Sequence, residues 1–164
     1  MKLSVIIPTF NRRALIEQTL PTVLDQTYPA DEYEVIVVVD GSTDGTAVAL
    51  RRMSSPVRLI VIEHDNRGQA AARNAGLRAA SGELVLFLDD DLYCERTLIA
   101  EHVSAHEGGD CLVFGPVLVA PQSPDTLATK WLRLATENWL SQLEREGLRL
   151  VGVTNLRRSR PNRG

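Results

Sequence analysis

Residues 35–39, Val-Ile-Val-Val-Val, constrain this chain more than any other stretch. A strand with one wet face alternates apolar and polar residues. This run does not alternate, which suits a strand covered on both faces, as in a parallel sheet. Apolar runs at 3–7, 33–39, 57–62, 84–88 and 111–119 alternate with helical patterns near 12–26, 44–53, 68–80 and 95–107. Regular βα alternation predicts an α/β fold of three layers, α/β/α, with a mostly parallel central sheet and right-handed crossovers. Helix 12–26 sets Ile16, Leu20, Val23 and Leu24 on one face, toward the sheet. A further helix over 125–146 carries Leu127, Trp131, Ala135, Trp139 and Leu143 at four-residue steps, a stripe expected to pack into the core. No repeat or low-complexity linker interrupts the pattern.

The chain has 164 residues, 44% of them hydrophobic and 24% charged, enough for one domain with a real core. Net charge is −3, and the last eight residues hold Arg157, Arg158, Arg160 and Arg163 with no acid, so residues 1–156 carry −7. The organisation expected is one domain over 1–156 and a basic tail over 157–164. So acidic a body argues against a nucleic-acid partner, which asks for a basic stripe. It also means that a phosphorylated ligand would need a metal. Cys94 and Cys111 lack metal-ligand spacing and are expected to be buried or idle thiols in a reducing compartment. No segment approaches the ~18 apolar residues of a membrane span, and the N-terminus opens straight into a strand. These features lead us to expect a cytoplasmic protein, or one peripheral to the inner face of the membrane.

The apolar run 84–88 ends in Asp89, Asp90 and Asp91. On an extended chain Asp89 and Asp91 would point one way and Asp90 the other. Two convergent carboxylates repel unless a cation joins them, and hard oxygen ligands suit Mg²⁺ or Mn²⁺ shared with substrate phosphates. The alternative is a solvated acidic turn capping the next helix. Ligands of open parallel sheets bind beyond the carboxyl ends of the strands. There the first strand runs into Pro8, Thr9, Phe10, Asn11 and Arg12, the second into Asp40 to Thr46, and the fourth into the aspartates. Helix 68–80 also starts on that rim, after Asn66 and Arg67, and a helix start offers N–H groups to an anion.

Other chemistries are excluded or weak. The first strand-to-helix turn has no glycine, so it is not a G-x-G-x-x-G dinucleotide turn, and no G-x-x-x-x-G-K-[ST] loop exists. His64, His102 and His106 are expected at helix and loop surfaces; His102 and His106 share a helix face but lack a third ligand. Helix 68–80 is rich in alanine (Ala70, Ala71, Ala72, Ala75, Ala79, Ala80), which lets it lie close to the sheet or to a ligand. Arg73 and Asn74 are its polar exceptions.

Four stretches in order, VIIPTFNR at 5–12, VVVDGSTDGT at 37–46, NRGQAAARNAG at 66–76 and GELVLFLDDD at 82–91, resemble the family 2 glycosyltransferases of GT-A fold. Order and spacing agree over residues 3 to 92 and more loosely to 158. The resemblance implies transfer of a sugar with inversion from a nucleoside-diphosphate sugar, a UDP-sugar favoured, to an acceptor hydroxyl on a sugar, lipid or protein. It further implies Mg²⁺ or Mn²⁺ as cofactor and a place in cell-envelope or polysaccharide biosynthesis. Carried over by position, Pro8, Thr9 and Asn11 line the base and ribose, and Asp40 accepts the base N–H. Asn66, Gly68 and Arg73 close the nucleotide pocket, Asp89 and Asp90 belong to the donor site, and Asp91 with Asp89 holds the metal in a DxD motif. The family's general base is a carboxylate, typically in a Glu-Asp pair after a segment resembling residues 151–159. That places it beyond Gly164, since Glu144 and Glu146 precede the segment. The resemblance therefore leads us to expect a truncated chain, with an exposed apolar face and a homodimer as one consequence. The rival readings are a nucleotide-sugar-binding fragment or subunit without transfer activity, and a sugar nucleotidyltransferase, whose glycine- and lysine-bearing first turn is absent.

Overall fold

The structure is a computed structural model that describes residues 2–107, 112, 113, 115, 117–119, 123–145 and 154–156. In chain order the elements are β1 (Leu3–Thr9), α1 (Arg13–Leu24), β2 (Tyr33–Asp40), α2 (Thr46–Arg51), β3 (Arg58–His64), α3 (Gln69–Ala79), β4 (Leu84–Phe87), β5 (Leu92–Cys94), α4 (Leu98–Ala105), β6 (Val117–Val119), α5 (Leu127–Arg145) and β7 (Thr154–Leu156). The first four strands form one sheet in the order β3-β2-β1-β4, parallel throughout. Ile6 of β1 stands opposite Ile36 on one side and Phe87 on the other.

The central strands β1 and β2 are buried along their whole length, as the absence of alternation requires. On one face Leu3, Val5, Ile7, Val35, Val37 and Val39 pack with Ile16, Leu20 and Val23 of α1, Leu50 of α2, and Leu98 and Ile99 of α4. On the other, Ile6, Ile36 and Val38 pack against Ala72 and Ala75 of α3. Helices therefore cover both faces, and the fold has the three layers expected. Each of these larger aliphatic side chains contributes about 1.5–3 kcal/mol by leaving water. The small surface of α3 serves close approach: a Cβ on Gly76 would overlap the Ile6 side chain. At the amino end of the sheet, buried Glu34 accepts hydrogen bonds from Ser4 Oγ at 2.7 Å and from the Ser81 N–H and hydroxyl at 2.7 and 2.8 Å, and pairs with Arg58 at 3.1 Å.

A second sheet, order β5-β7-β6, adjoins the acidic turn, with β5 antiparallel and β6 parallel to β7. Strands of three residues carry too little pattern to read from sequence, and β5 and β7 were not anticipated. Among the described residues, the strand expected over 111–119 is seen at Val117–Val119; Leu112, Val113 and Gly115 lie outside it, and Cys111 is not among the described residues.

Two expectations are overturned. The α5 stripe is not core: its Leu127, Trp131 and Trp139 are exposed, Trp131 by 69%. Periodicity shows that a helix has an apolar face, but not that anything covers it. Nor is His102 a surface residue. It follows Leu98 and Ile99 by one helical turn, on the side that α4 turns inward, and is buried with them. Burial, with His106 nearby, lowers its pKa. Cys94 is a free thiol, and burial pushes it up to about 12, so it is idle as expected. The tail over 157–164 lies outside the described residues, as does the segment 151–159 apart from β7.

Candidate donor site

The carboxyl ends of β1, β2 and β4 meet at one rim because the three strands are parallel neighbours. A cleft of about 470 Å³ opens there. Its walls are Pro8 and Thr9 at the end of β1, Phe10 and Arg12 after it, Asp40 at the end of β2, Asn66, Gly68 and Gln69 at the start of α3, and Asp89, Asp90 and Asp91 after β4. Eight of the residues singled out from sequence thus come together: Pro8, Thr9, Asp40, Asn66, Gly68, Asp89, Asp90 and Asp91. Asn11 and Arg73 are not in the lining. Phe10, Arg12 and Gln69 are, and were not assigned to the site from sequence, although Phe10 and Arg12 sit inside the first matching stretch.

The three aspartates do not continue as a strand. β4 ends at Phe87, Asp90 and Asp91 form a turn, and β5 begins at Leu92, so the triplet is the junction between the two sheets. Strand alternation therefore does not order the carboxylates. Asp90 is the buried one, 7% exposed; Asp91 is 21% and Asp89 49% exposed. Thr9 Oγ1 donates to Asp90 Oδ2 at 2.8 Å, and Thr19 Oγ1 of α1 donates to its backbone carbonyl at 2.8 Å. Arg12 Nη1 donates to Asp90 Oδ1 at 2.9 Å and reaches Asp91 Oδ2 at 3.4 Å. Burial raises the Asp90 pKa, opposed by the Thr9 hydrogen bond and the charge of Arg12; the same carboxylate raises the pKa of Arg12. Asp89 takes different partners, Arg73 Nη2 at 2.8 Å and Gln69 Nε2 at 3.2 Å, both from α3.

Asp40 anchors the opposite wall. Its Oδ1 accepts the Arg67 N–H at 2.8 Å and its Oδ2 the Gly68 N–H at 2.9 Å, with His64 Nδ1 3.4 Å from Oδ1. The donors that lead into α3, expected to be open to an anion, thus already face a carboxylate. Gly41 (φ 74°) lets this turn pass close to Asn66, whose backbone nitrogen would lie 2.5 Å from a Cβ there.

The remaining polar residues of the rim stitch two loops together. Asn11, in the left-handed region at φ 50°, accepts the Thr43 N–H on Oδ1 at 2.8 Å while its own N–H donates to Ser42 Oγ at 2.9 Å. Asp44 accepts the Arg13 N–H at 2.9 Å and the Thr46 N–H at 3.1 Å, joining the starts of α1 and α2. Short polar side chains of this kind commonly satisfy helix starts and turns. His102 and His106 stand apart from the cleft, with His106 Nδ1 2.7 Å from the His102 carbonyl.

An acidic cleft on the carboxyl rim of a parallel sheet, walled by the start of a crossover helix, defines an α/β ligand-binding domain. Comparison with known proteins agrees. The glycosyl transferase family 2 profile matches residues 4–159, and the chain belongs to that family. The chain is 40% identical over 114 residues to the uncharacterized glycosyltransferase YfnE of Bacillus subtilis, covering 69% of this chain and 29% of that protein. Among solved structures it is similar to TarS 1–349 of S. aureus in complex with UDP-GlcNAc: TM-score 0.62, 30% identity, 76% of this chain and 36% of that one. It is also similar to the mannosyltransferase PcManGT from Pyrobaculum calidifontis in complex with GDP-Man and Mn²⁺: TM-score 0.63, 38% identity, 73% of this chain and 35% of that one. The matched part thus spans about a third of the length of each of these three chains. Among the described residues no helix is long and apolar enough to cross a membrane.

Proposed function

We propose that this chain carries the donor-binding part of a family 2 glycosyltransferase that moves a sugar, with inversion, from a nucleoside-diphosphate sugar to an acceptor hydroxyl, with Mg²⁺ or Mn²⁺ as cofactor. The observation that carries this reading is the acidic junction after β4. It offers Asp91 and Asp89 at the mouth of a cleft whose other walls are an exposed aromatic, Phe10, and the start of α3. The neighbour complexes with UDP-GlcNAc and with GDP-Man and Mn²⁺ support it. UDP is the favoured donor nucleotide.

The donor set fits such a metal. Asp89 and Asp91 are oxygen ligands, partly exposed, and each already faces a cation. No group of three His, Cys, Asp or Glu side chains among the described residues is arranged to hold an ion by itself. Mg²⁺ and Mn²⁺ often sit on one or two carboxylates and take the rest of their shell from substrate phosphates and water. The bound ion supplies Lewis-acid neutralisation of the departing diphosphate.

The chain's own residues do the rest of the donor work. Phe10 offers a π-face to the base. Asp40 fixes the 66–68 segment and keeps lone pairs that can accept a base N–H. Asp90, anchored by Thr9 and Thr19, sets the turn that presents Asp91. Removing the acceptor proton needs a base; the residues of this cleft concern the donor, so the test reads donor binding. Calorimetric titration of UDP, GDP and dTDP into the chain, with Mn²⁺ and again with EDTA, should give metal-dependent UDP binding that Asp91→Ala abolishes. No binding by the folded chain would refute the donor-site reading.

A further inference from the structure

In the cleft both carboxylates assigned to the metal rest against guanidinium groups. Arg12 is not a simple partner of Asp91. Its Nη1 lies 2.9 Å from Asp90 and 3.4 Å from Asp91, so it sits mainly on the buried carboxylate and reaches the metal carboxylate only at long range. Asp90 is in turn held by two further contacts, Thr9 on its side chain and Thr19 on its carbonyl. Arg12 is half exposed, one residue before α1, and has little else among the described residues to fix it. The middle aspartate of the triplet thus shares Arg12 Nη1 with Asp91 and holds it at the shorter distance.

We propose that Arg12 is a resident counter-cation that competes with the divalent metal for Asp91, and that Asp90 is the positioning residue that holds Arg12 off it. This rests on the metal reading given above. With Asp90 in place the guanidinium has a nearer, desolvated partner, and Asp91 remains available to the ion. Without the Asp90 charge the nearest carboxylate for Arg12 is Asp91. Arg12 also has a second effect: when no ion is bound, it offsets the repulsion between two adjacent carboxylates.

The test uses Mn²⁺ alone, read as the loss of free-ion signal by electron paramagnetic resonance on the whole chain, with Asp91→Ala giving the binding that does not belong to this site. Thermal melts confirm that each variant is folded. Arg12→Gln should tighten the Asp91-dependent Mn²⁺ affinity by about fivefold, the effect of removing one charge a few ångströms away under near-aqueous screening. Arg12→Lys, which keeps the charge, should stay within about twofold of wild type. Asp90→Asn should weaken Mn²⁺ by about 25-fold when Arg12 is present, but by about fivefold, the loss of its own charge alone, in the Arg12→Gln background. That non-additivity separates the proposal from a purely structural role and from independent charge effects. Equal effects of Asp90→Asn in both backgrounds, or weakening by Arg12→Gln, would overturn the proposal and leave the metal site standing. Absence of any Asp91-dependent Mn²⁺ binding would overturn the metal reading and this proposal together.

Discussion

Replacing Asp40 by Asn separates its architectural role from a ligand role. The carboxylate accepts two backbone N–H groups on different oxygens, from Arg67 at 2.8 Å and Gly68 at 2.9 Å, and the residue is 4% exposed. An amide of the same shape has one acceptor oxygen, so its NH₂ would confront the other backbone N–H, donor against donor. Hydrogen bonds to a charged acceptor are worth about 1.5–3 kcal/mol each, and an unmatched buried donor adds its own desolvation cost. Losing one bond, and the charge behind the other, should therefore cost about 3 kcal/mol. If the 65–68 loop undocks on its own, the free energy of that local opening caps the loss. With a urea slope of about 2 kcal/mol per molar, the unfolding midpoint should fall by about 1.5 M. Hydrogen exchange should show the Arg67 and Gly68 amides losing protection before the core does. A variant that unfolds within about 0.5 kcal/mol of wild type, a surface-like change, with both amides still protected and UDP binding abolished, would refute the reasoning and give Asp40 to the nucleotide alone.

Two further perturbations test the packing beneath the site. Gly76→Ala drives a methyl into Ile6 and should cost about 1–3 kcal/mol by overpacking, read as a lower Tm; an unchanged Tm would mean that α3 lies farther from β1 than found here. Glu34→Gln should cost about 2 kcal/mol at neutral pH, through weaker hydrogen bonds and loss of the Arg58 pair. Burial by itself would raise the Glu34 pKa, but the bonds from Ser4 and Ser81 and the charge of Arg58 outweigh it and hold the carboxyl below its usual range. A depressed pKa contributes stability that is complete above the unfolded value of about 4.3 and fades as pH falls through the folded one. The gap between Glu34→Gln and wild type should therefore close on acidification; a gap that widened in acid would reverse the assignment.

The sequence by itself determined the frame. Unbroken apolar runs can be satisfied only inside a sheet covered on both faces, and strands joined by helices must be parallel, so Asp40, Pro8, Thr9 and Asp89 to Asp91 arrive on one rim whatever their side chains do. The stripe of α1 and the small surface of α3 were legible for the same reason: a helix in contact with a sheet shows its period. What each polar residue touches was not legible. Asn11 faces Thr43, Asp40 faces the approach to α3, and Asp90 faces Thr9 and Arg12, because hydrogen-bond partners are set by loops from distant parts of the chain meeting at a distance. Alternation along the aspartates failed because β4 ends at Phe87 and a turn has no fixed period of two. Only the tertiary structure decided that α5 leaves Trp131 exposed while α4 buries His102: a pattern names a face, but burial requires a neighbour to cover it.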